Sequence, residues 1–218
     1  DAQNINANAE LGDVIKVQIQ SKEFGRIATQ NAKNVILQKI REEERKVLYD
    51  QYYGMEKEVV TGIVQRIMGK NVSVNLGKAD AILSEKEQVR GEEFQPTERI
   101  KVYILEVKDT PKGPRIEVSR THPGLVKRLF ESEVAEVKDG TVEIKSIARE
   151  AGSRTKIAVW SNDPDVDPVG ACVGMNGARV NSVVEELRGE KIDIINWDEN
   201  PAILIENALS PAKVLAVM

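Results

Sequence analysis

Four residues, Gly174-Met175-Asn176-Gly177, stand between two short helical patterns and restrict the chain around them. Glycine at both ends of a tetrad lets the backbone turn sharply and leaves no Cβ to block the close approach of another backbone. The helix that follows presents free N–H groups and the positive end of its dipole, an arrangement suited to anions. A tight helix–helix turn that meets no ligand is the plain alternative. The elements around the tetrad give it a setting. A helix is expected over Pro123–Val134, with proline in its first turn. Strands follow at Thr141–Ala148 and Arg154–Trp160, separated by a turn at Gly152-Ser153. An acidic loop from Asp163 to Pro168 leads to a short helix, Val169–Val173, then the tetrad, a longer helix, Ala178–Leu187, and a last strand, Lys191–Ile195. Another helix is expected from Pro201, capped by Asp198 or Asn200.

Upstream, the apolar period changes to two. Val59–Val64, Asn71–Leu76, Ala79–Leu83, Arg99–Val107 and Arg115–Ser119 read as five short strands broken by Gly and Pro. That pattern predicts a small closed barrel. Before it, Val14–Ile19 alternates like a strand and Ser21 is a candidate N-cap. From Lys22 to Tyr53 there is no proline, and Gly25 is the one interior glycine. Phe24, Ile27, Ala28, Val35, Ile36 and Ile40 recur at helical spacing. A helix of that length runs about 45 Å, with Gly54 as its stop. The fold class is thus α+β and multidomain: a long linker helix, a five-stranded OB-type barrel, then an α/β domain in the order α-β-β-α-α-β. The expected boundaries are 1–53, 54–121, 122–205 and a stub at 206–218. The start at Asp1 and the apolar run Lys213–Met218 suggest a piece of a longer protein.

The 218 residues carry 31 Lys+Arg against 35 Asp+Glu, a net charge of −4, with 41% hydrophobic residues. This balance suits a folded soluble chain and argues against disorder. No run of eighteen apolar residues is present, and the first ten residues lack the order of a signal peptide, so a cytoplasmic setting is expected. One cysteine, Cys172, and one histidine, His122, leave little for triad chemistry, a disulfide framework or a zinc site. Cys172 reads as buried packing and His122 as a hydrogen-bonding linker residue. Asp163, Asp165 and Asp167 alternate like metal ligands, but their interleaved prolines suit a solvated loop. No metal, cofactor or catalytic residue is expected, and no phosphate-binding P-loop is present.

A Gly-x-x-Gly loop between two helices, after two strands, resembles the phosphate-clamping loop of a KH domain, whose groove holds about four nucleotides. Gly62-Ile63-Val64, Val72–Gly77 and Ile116–Arg120 resemble an S1-type OB fold, which binds single-stranded RNA. The stretch Asp167–Val180, with Gly189–Ile194, Trp197–Ala202 and Ala208–Ala212, resembles the first KH domain of the NusA family of bacterial transcription factors. Phe24–Lys33 resembles the linker helix of that family's N-terminal domain. The resemblance covers nearly the whole chain. It implies a non-enzymatic RNA-binding factor that modulates pausing, termination and antitermination. The implied partners are nascent single-stranded RNA, RNA polymerase and other Nus factors, with the protein itself a monomer and no membrane involved.

The residues expected at RNA are Val173, Gly174, Met175, Asn176, Gly177 and Arg179 at the loop. Lys145, Arg149, Arg154 and Lys156 are expected to form a basic track on the strands. Arg66, Lys70 and Lys78 are expected on the barrel, whose second strand offers Asn71, Ser73 and Asn75 instead of a stacking aromatic. Between His122 and Ile205 there are 10 Lys+Arg against 15 Asp+Glu, a net of −5. Weak binding with few phosphate contacts is expected on that ground. Two other classes stay open. An enzyme with accessory barrel and KH domains would need a large catalytic domain upstream. A protein-docking scaffold with vestigial RNA binding would use the long helix and the acidic surface.

Overall fold

The computed structural model describes residues 25–214 and 216. They divide into two compact units, one through Glu44 and one from Arg45 onward. The expected strand at Val14–Ile19 and the Ser21 cap lie outside the described residues. So do Leu215, Val217 and Met218 of the terminal run. The first unit contributes the beginning of helix α1 (Arg26–Tyr53). There Ile27, Val35, Ile36 and Ile40, the positions that helical spacing assigned to an apolar stripe, are exposed.

In the second unit α1 ends with Gly54 N–H donating to the Asp50 carbonyl at 3.2 Å. Leu48, Tyr49 and Tyr52 of its last turns pack on the barrel, and Tyr52 donates its hydroxyl to the Leu76 carbonyl at 3.1 Å. The barrel strands are β1 (Val59–Met68), β2 (Asn71–Asn75), β3 (Asp80–Leu83), β4 (Arg99–Lys108) and β5 (Arg115–Ser119). They close in the order β1-β2-β3-β5-β4, the β3–β5 pair being parallel and the others antiparallel. Inward positions alternate as a strand requires: Val72, Val74, Ala81, Leu83, Ile100, Val102, Ile104, Ile116 and Val118 form the core. Bulges at Val64/Arg66 in β1 and Ile104/Glu106 in β4 bend the strands for closure. Gly62 is set by close approach, since a Cβ there would lie 2.3 Å from Val74 Cγ1.

The α/β part begins with α2 (Pro123–Glu133). One helix to Val134 was expected, but the chain breaks at Val134, which is extended and fully buried, and resumes as a short α3 (Ala135–Lys138). Three strands follow in the spatial order β6 (Val142–Glu150), β7 (Arg154–Ser161), β8 (Lys191–Asn196). β6 and β7 are antiparallel. β7 and β8 are parallel and joined by α4 (Pro168–Val173), a single 3-10 turn and α5 (Ala178–Glu186). Leu125, Leu129 and Phe130 of α2, Cys172 of α4 and Val183 of α5 pack on Val142, Ile157 and Val159 of the sheet. Three helix starts, at Pro123, Pro168 and Pro201, carry a side-chain cap. His122 Nδ1 accepts from Gly124 N–H at 3.0 Å, and both Asp167 oxygens accept from the first turn of α4. Asn200 caps α6 (Pro201–Leu209). A closed five-stranded barrel followed by a KH-type α/β domain is thus the architecture of this unit.

The two parts of the unit meet through a buried arginine. Arg120, 1% exposed, follows β5 directly. Its guanidinium takes the Glu92 carboxylate in a forked contact at 2.5–3.0 Å. It also donates to the Lys101 carbonyl at 2.8 Å and, across the junction, to the Glu186 carbonyl at 3.1 Å. Arg188 donates to Glu98 and to the Glu93 carbonyl and lies 5.2 Å from the Phe94 ring centroid. Removing one member of such a pair strands the other charge, a loss of roughly 3–5 kcal/mol. Arg120→Ala is therefore expected to lower the melting temperature by roughly 6–20 °C. Arg120→Met with Glu92→Leu should recover most of that loss. A melting temperature for Arg120→Ala within a degree or two of the parent in thermal unfolding would remove this junction from the stability of the fold.

Candidate nucleic-acid interface

The tetrad adopts a backbone that its residue types make possible. Gly174 has φ 74° and ψ 175°, a region that only glycine occupies at little strain. Asn176 (φ 53°, ψ 27°) and Gly177 (φ 76°, ψ 13°) are left-handed, the conformation that Asn and Gly tolerate best. Gly174 N–H closes α4 on the Gly170 carbonyl at 2.9 Å, and Gly177 N–H turns back to the Gly174 carbonyl at 3.1 Å. Met175 is thereby thrust into solvent, 85% exposed, with Asn176 exposed beside it and Val173 half-buried beneath. α5 starts at once after Gly177, so its unpaired N–H groups and positive dipole end stand beside the loop.

Arg179 has a second role in holding this shape. Its guanidinium donates to the Ala171 carbonyl at 2.7 Å and to Glu136 of α3 at 3.0 Å. Its stem fills the space a Cβ on Gly174 would need, with Cγ 2.8 Å from that point. The first turn of α5 is thus strapped to the last turn of α4, and the loop between them is held from both sides.

The expected basic track is present as residues but is neutralised within the fold. Arg154 and Lys156 both reach Asp193, Arg154 in a two-point contact at 2.5 and 3.0 Å. The Arg154 guanidinium keeps the Asp193 carboxyl below the usual range. Lys156 also donates to the Ala208 carbonyl of α6. Lys145 sits at the β6 bulge, pairs with Glu143 and lies 5.7 Å from the Trp197 ring centroid. On the barrel, Lys70 pairs with Glu85 at 2.8 Å and Lys78 donates to Gln51 at 3.3 Å. Arg66 is exposed on β1 with no ion pair among the described residues.

Arg149 requires a correction. Its side chain is 1% exposed, against a Glu190 side chain at 0%, so it does not face solvent as a phosphate ligand. Its Nε and Nη2 reach the two Glu190 oxygens at 2.9 Å, and Nη1 donates to the His122 carbonyl. Glu190 also accepts from Thr155 Oγ1 and from Gly152 N–H, closing the β6–β7 turn onto the start of β8. Two features were not visible in the sequence: the Arg120 junction and the meeting of Trp160 with Trp197, whose ring centroids are 5.7 Å apart. That Trp160 closes one expected strand and Trp197 stands two residues past another was the one available hint. Burial pushes the Cys172 thiol up to about 11, which suits packing and not nucleophilic chemistry.

Burial alone would raise the Glu190 carboxyl, but the hydrogen bonds from Arg149, Thr155 and Gly152 hold it below its ordinary value of 4.5. A carboxyl depressed in the folded state contributes stability above its unfolded pKa, and that contribution fades as pH falls through the folded value. Glu190→Gln should be less stable than the parent by roughly 3–5 kcal/mol at pH 7, with the gap narrowing at pH 3.5. Urea unfolding at both pH values measures this; an unchanged gap would exclude the ion pair as its source.

The sequence model of the NusA-like first KH domain matches residues 120–197, that of the S1 RNA binding domain matches 54–119, and that of the NusA N-terminal domain matches 1–46. The transcription termination/antitermination protein NusA of Bacillus subtilis is 55% identical over 218 residues, all of this chain and 59% of that protein. The protein of the same name from Halalkalibacterium halodurans is 52% identical over 217 residues, 100% of this chain and 57% of its own length. That from Thermus thermophilus is 43% identical over 215 residues, 98% and 56% of the two chains. The chain therefore spans less than two thirds of the relatives it matches. With three consecutive domain models and identity of this level along its whole length, the chain belongs to the NusA family.

Proposed function

We propose that this protein is a non-enzymatic RNA-binding transcription factor that takes single-stranded nascent RNA and modulates pausing, termination and antitermination. The observation that carries this reading is the loop from Gly174 to Gly177. It combines glycine-only backbone, an exposed tip and the start of a nine-residue helix, and it follows a closed barrel of the S1 type. Val173, Gly174, Met175, Asn176 and Gly177 form the contact, with Arg179 positioning it. Lys145, Arg154 and Lys156 flank it, and Arg66, Lys70 and Lys78 serve the barrel; Arg149 is left out because it is buried. RNA polymerase, through the N-terminal domain, and other Nus factors are the partners that family membership supports, in a cytoplasmic, monomeric protein. The functional division we propose is 1–53, 54–121, 122–205 and 206–218.

Physically, the reading is of a binder that relies on backbone N–H groups more than on side-chain charge. Every strand cation named for the KH part already has a carboxylate partner. An RNA phosphate must compete with that partner, so few counterions are released on binding. Affinity should therefore fall gently with salt, with a log–log slope of about −1 to −2. Fluorescence anisotropy with a short single-stranded RNA at two salt concentrations tests this, and a much steeper slope contradicts it.

Substitutions separate the RNA reader from a docking scaffold. Gly174→Asp with Gly177→Asp places side chains in glycine-only backbone and a negative charge at the phosphate site, and should reduce RNA affinity about tenfold or more. Met175→Lys changes an exposed tip without strain. It should strengthen binding several-fold and steepen the salt slope by about 0.7. A scaffold with vestigial RNA binding would show neither effect.

A further inference from the structure

Both tryptophans of the chain, Trp160 and Trp197, meet at one end of the KH sheet. Trp160 lies near the end of β7 on the face away from α2 and α5 and is 43% exposed. Trp197 follows β8, its N–H donating to the Val159 carbonyl at 2.8 Å. The rings stand edge to face at 83°. With Asp163, Pro164, Pro168 and Asp198 they line an open groove of about 490 Å³. Asp163 accepts from Asp165 N–H at 2.9 Å, and Asp198 accepts from Asn200 N–H at 2.8 Å. Neither carboxylate has a cation partner among the described residues, unlike Glu143, Glu190 and Asp193 elsewhere on this sheet.

Half-exposed indole beside two unpaired carboxylates selects for one kind of ligand. The face of a tryptophan attracts a cation, and the carboxylates add to that field. RNA is disfavoured here, because its phosphates would have to approach Asp163, Asp165 and Asp198. A guanidinium meets both demands: it is flat enough to stack on the ring and forked enough to give a carboxylate two N–H donors. An ammonium offers only a compact, strongly hydrated charge. We propose that this groove docks an arginine-bearing segment of a protein partner, with the guanidinium against Trp160 and hydrogen-bonded to Asp163 or Asp198. The site is separate from the Gly174–Gly177 loop and stands whether or not that loop binds RNA.

Because both tryptophans of the chain line this groove, tryptophan emission of the full 218-residue chain reads it without a label. The probes are three capped pentapeptides, alike except for two arginines, two lysines or two citrullines, titrated to millimolar concentration at low salt. The arginine peptide should change the emission saturably, at a half-saturation about fivefold below that of the lysine peptide. The citrulline peptide should give no response. Asp163→Asn with Asp198→Asn keeps the side-chain acceptors of both turns and removes the charge; it should raise half-saturation about tenfold. The proposal fails if citrulline matches arginine, or if the arginine peptide gives no saturable change. It also fails if a short uridine oligonucleotide changes the emission and Trp160→Ala abolishes that change, since the groove then takes nucleic acid.

Discussion

The junction within the second unit depends on one arginine taken out of water. Arg120 is the residue at which the barrel ends and the α/β part begins, and its side chain is buried. A guanidinium in that position is tolerable only if every donor is used, and here the donors go to Glu92, the Lys101 carbonyl and the Glu186 carbonyl. The first two groups belong to the barrel and the third to α5. The requirement to satisfy one ion thus joins the two folds more firmly than their modest apolar contact at Tyr103, Val59 and Leu105 would alone. The geometry continues past the helix end, where Arg188 takes a left-handed backbone (φ 56°) to place its own guanidinium on Glu98 and the Phe94 ring.

α5 is therefore fixed at both ends by different chemistry. At its start, Arg179 straps it to α4 and fills the space beside Gly174. At its end, Glu186 and Arg188 grip the barrel, with the Lys101 N–H donating to the Glu186 carboxylate at 3.2 Å. The glycine loop is carried on a short helix held at both ends, and the Arg179 contacts hold its unusual dihedral angles from the protein side. Preorganisation of this kind matters most where charge contributes little.

What could be read from the sequence follows the range of the interaction involved. The barrel strands were legible because alternation is a local signal: Asn71–Asn75 shows its period within five residues. The loop was legible because Gly174 and Gly177 report backbone geometry directly. The cap at Asn200 is a contact over two residues, visible as a residue type before a proline; those at His122 and Asp167 are as local, but their residues read as a linker hydrogen bond and a solvated loop. Arg149 was not legible. Its partner Glu190 lies 41 residues away, and nothing local separates a surface arginine from one sealed over a carboxylate. The same holds for Arg120 and Glu92, 28 residues apart. The break at Val134 was missed because burial of one β-branched side chain overrode a helical pattern that runs through it.

Under the RNA-binding reading proposed above, the pairing of the strand cations also bears on how an acidic domain can serve. Free lysines and arginines would raise affinity for every nucleic acid alike, because counterion release carries no sequence information. With Arg154 and Lys156 held on Asp193, and Lys145 on Glu143, that indiscriminate component is small. On the proposed reading, what remains is backbone hydrogen bonding at the loop, which positions the strand, and contacts to the bases beside it, which discriminate. The weakness of any one contact then favours several in series on a rigid frame, where the second contact is intramolecular and no entropy is lost to reorienting the domains. On the proposed reading, the buried arginine that locks α5 to the barrel supplies such a frame, and the neutralised sheet keeps non-specific affinity low at each site, so that selectivity would come from their fixed spacing.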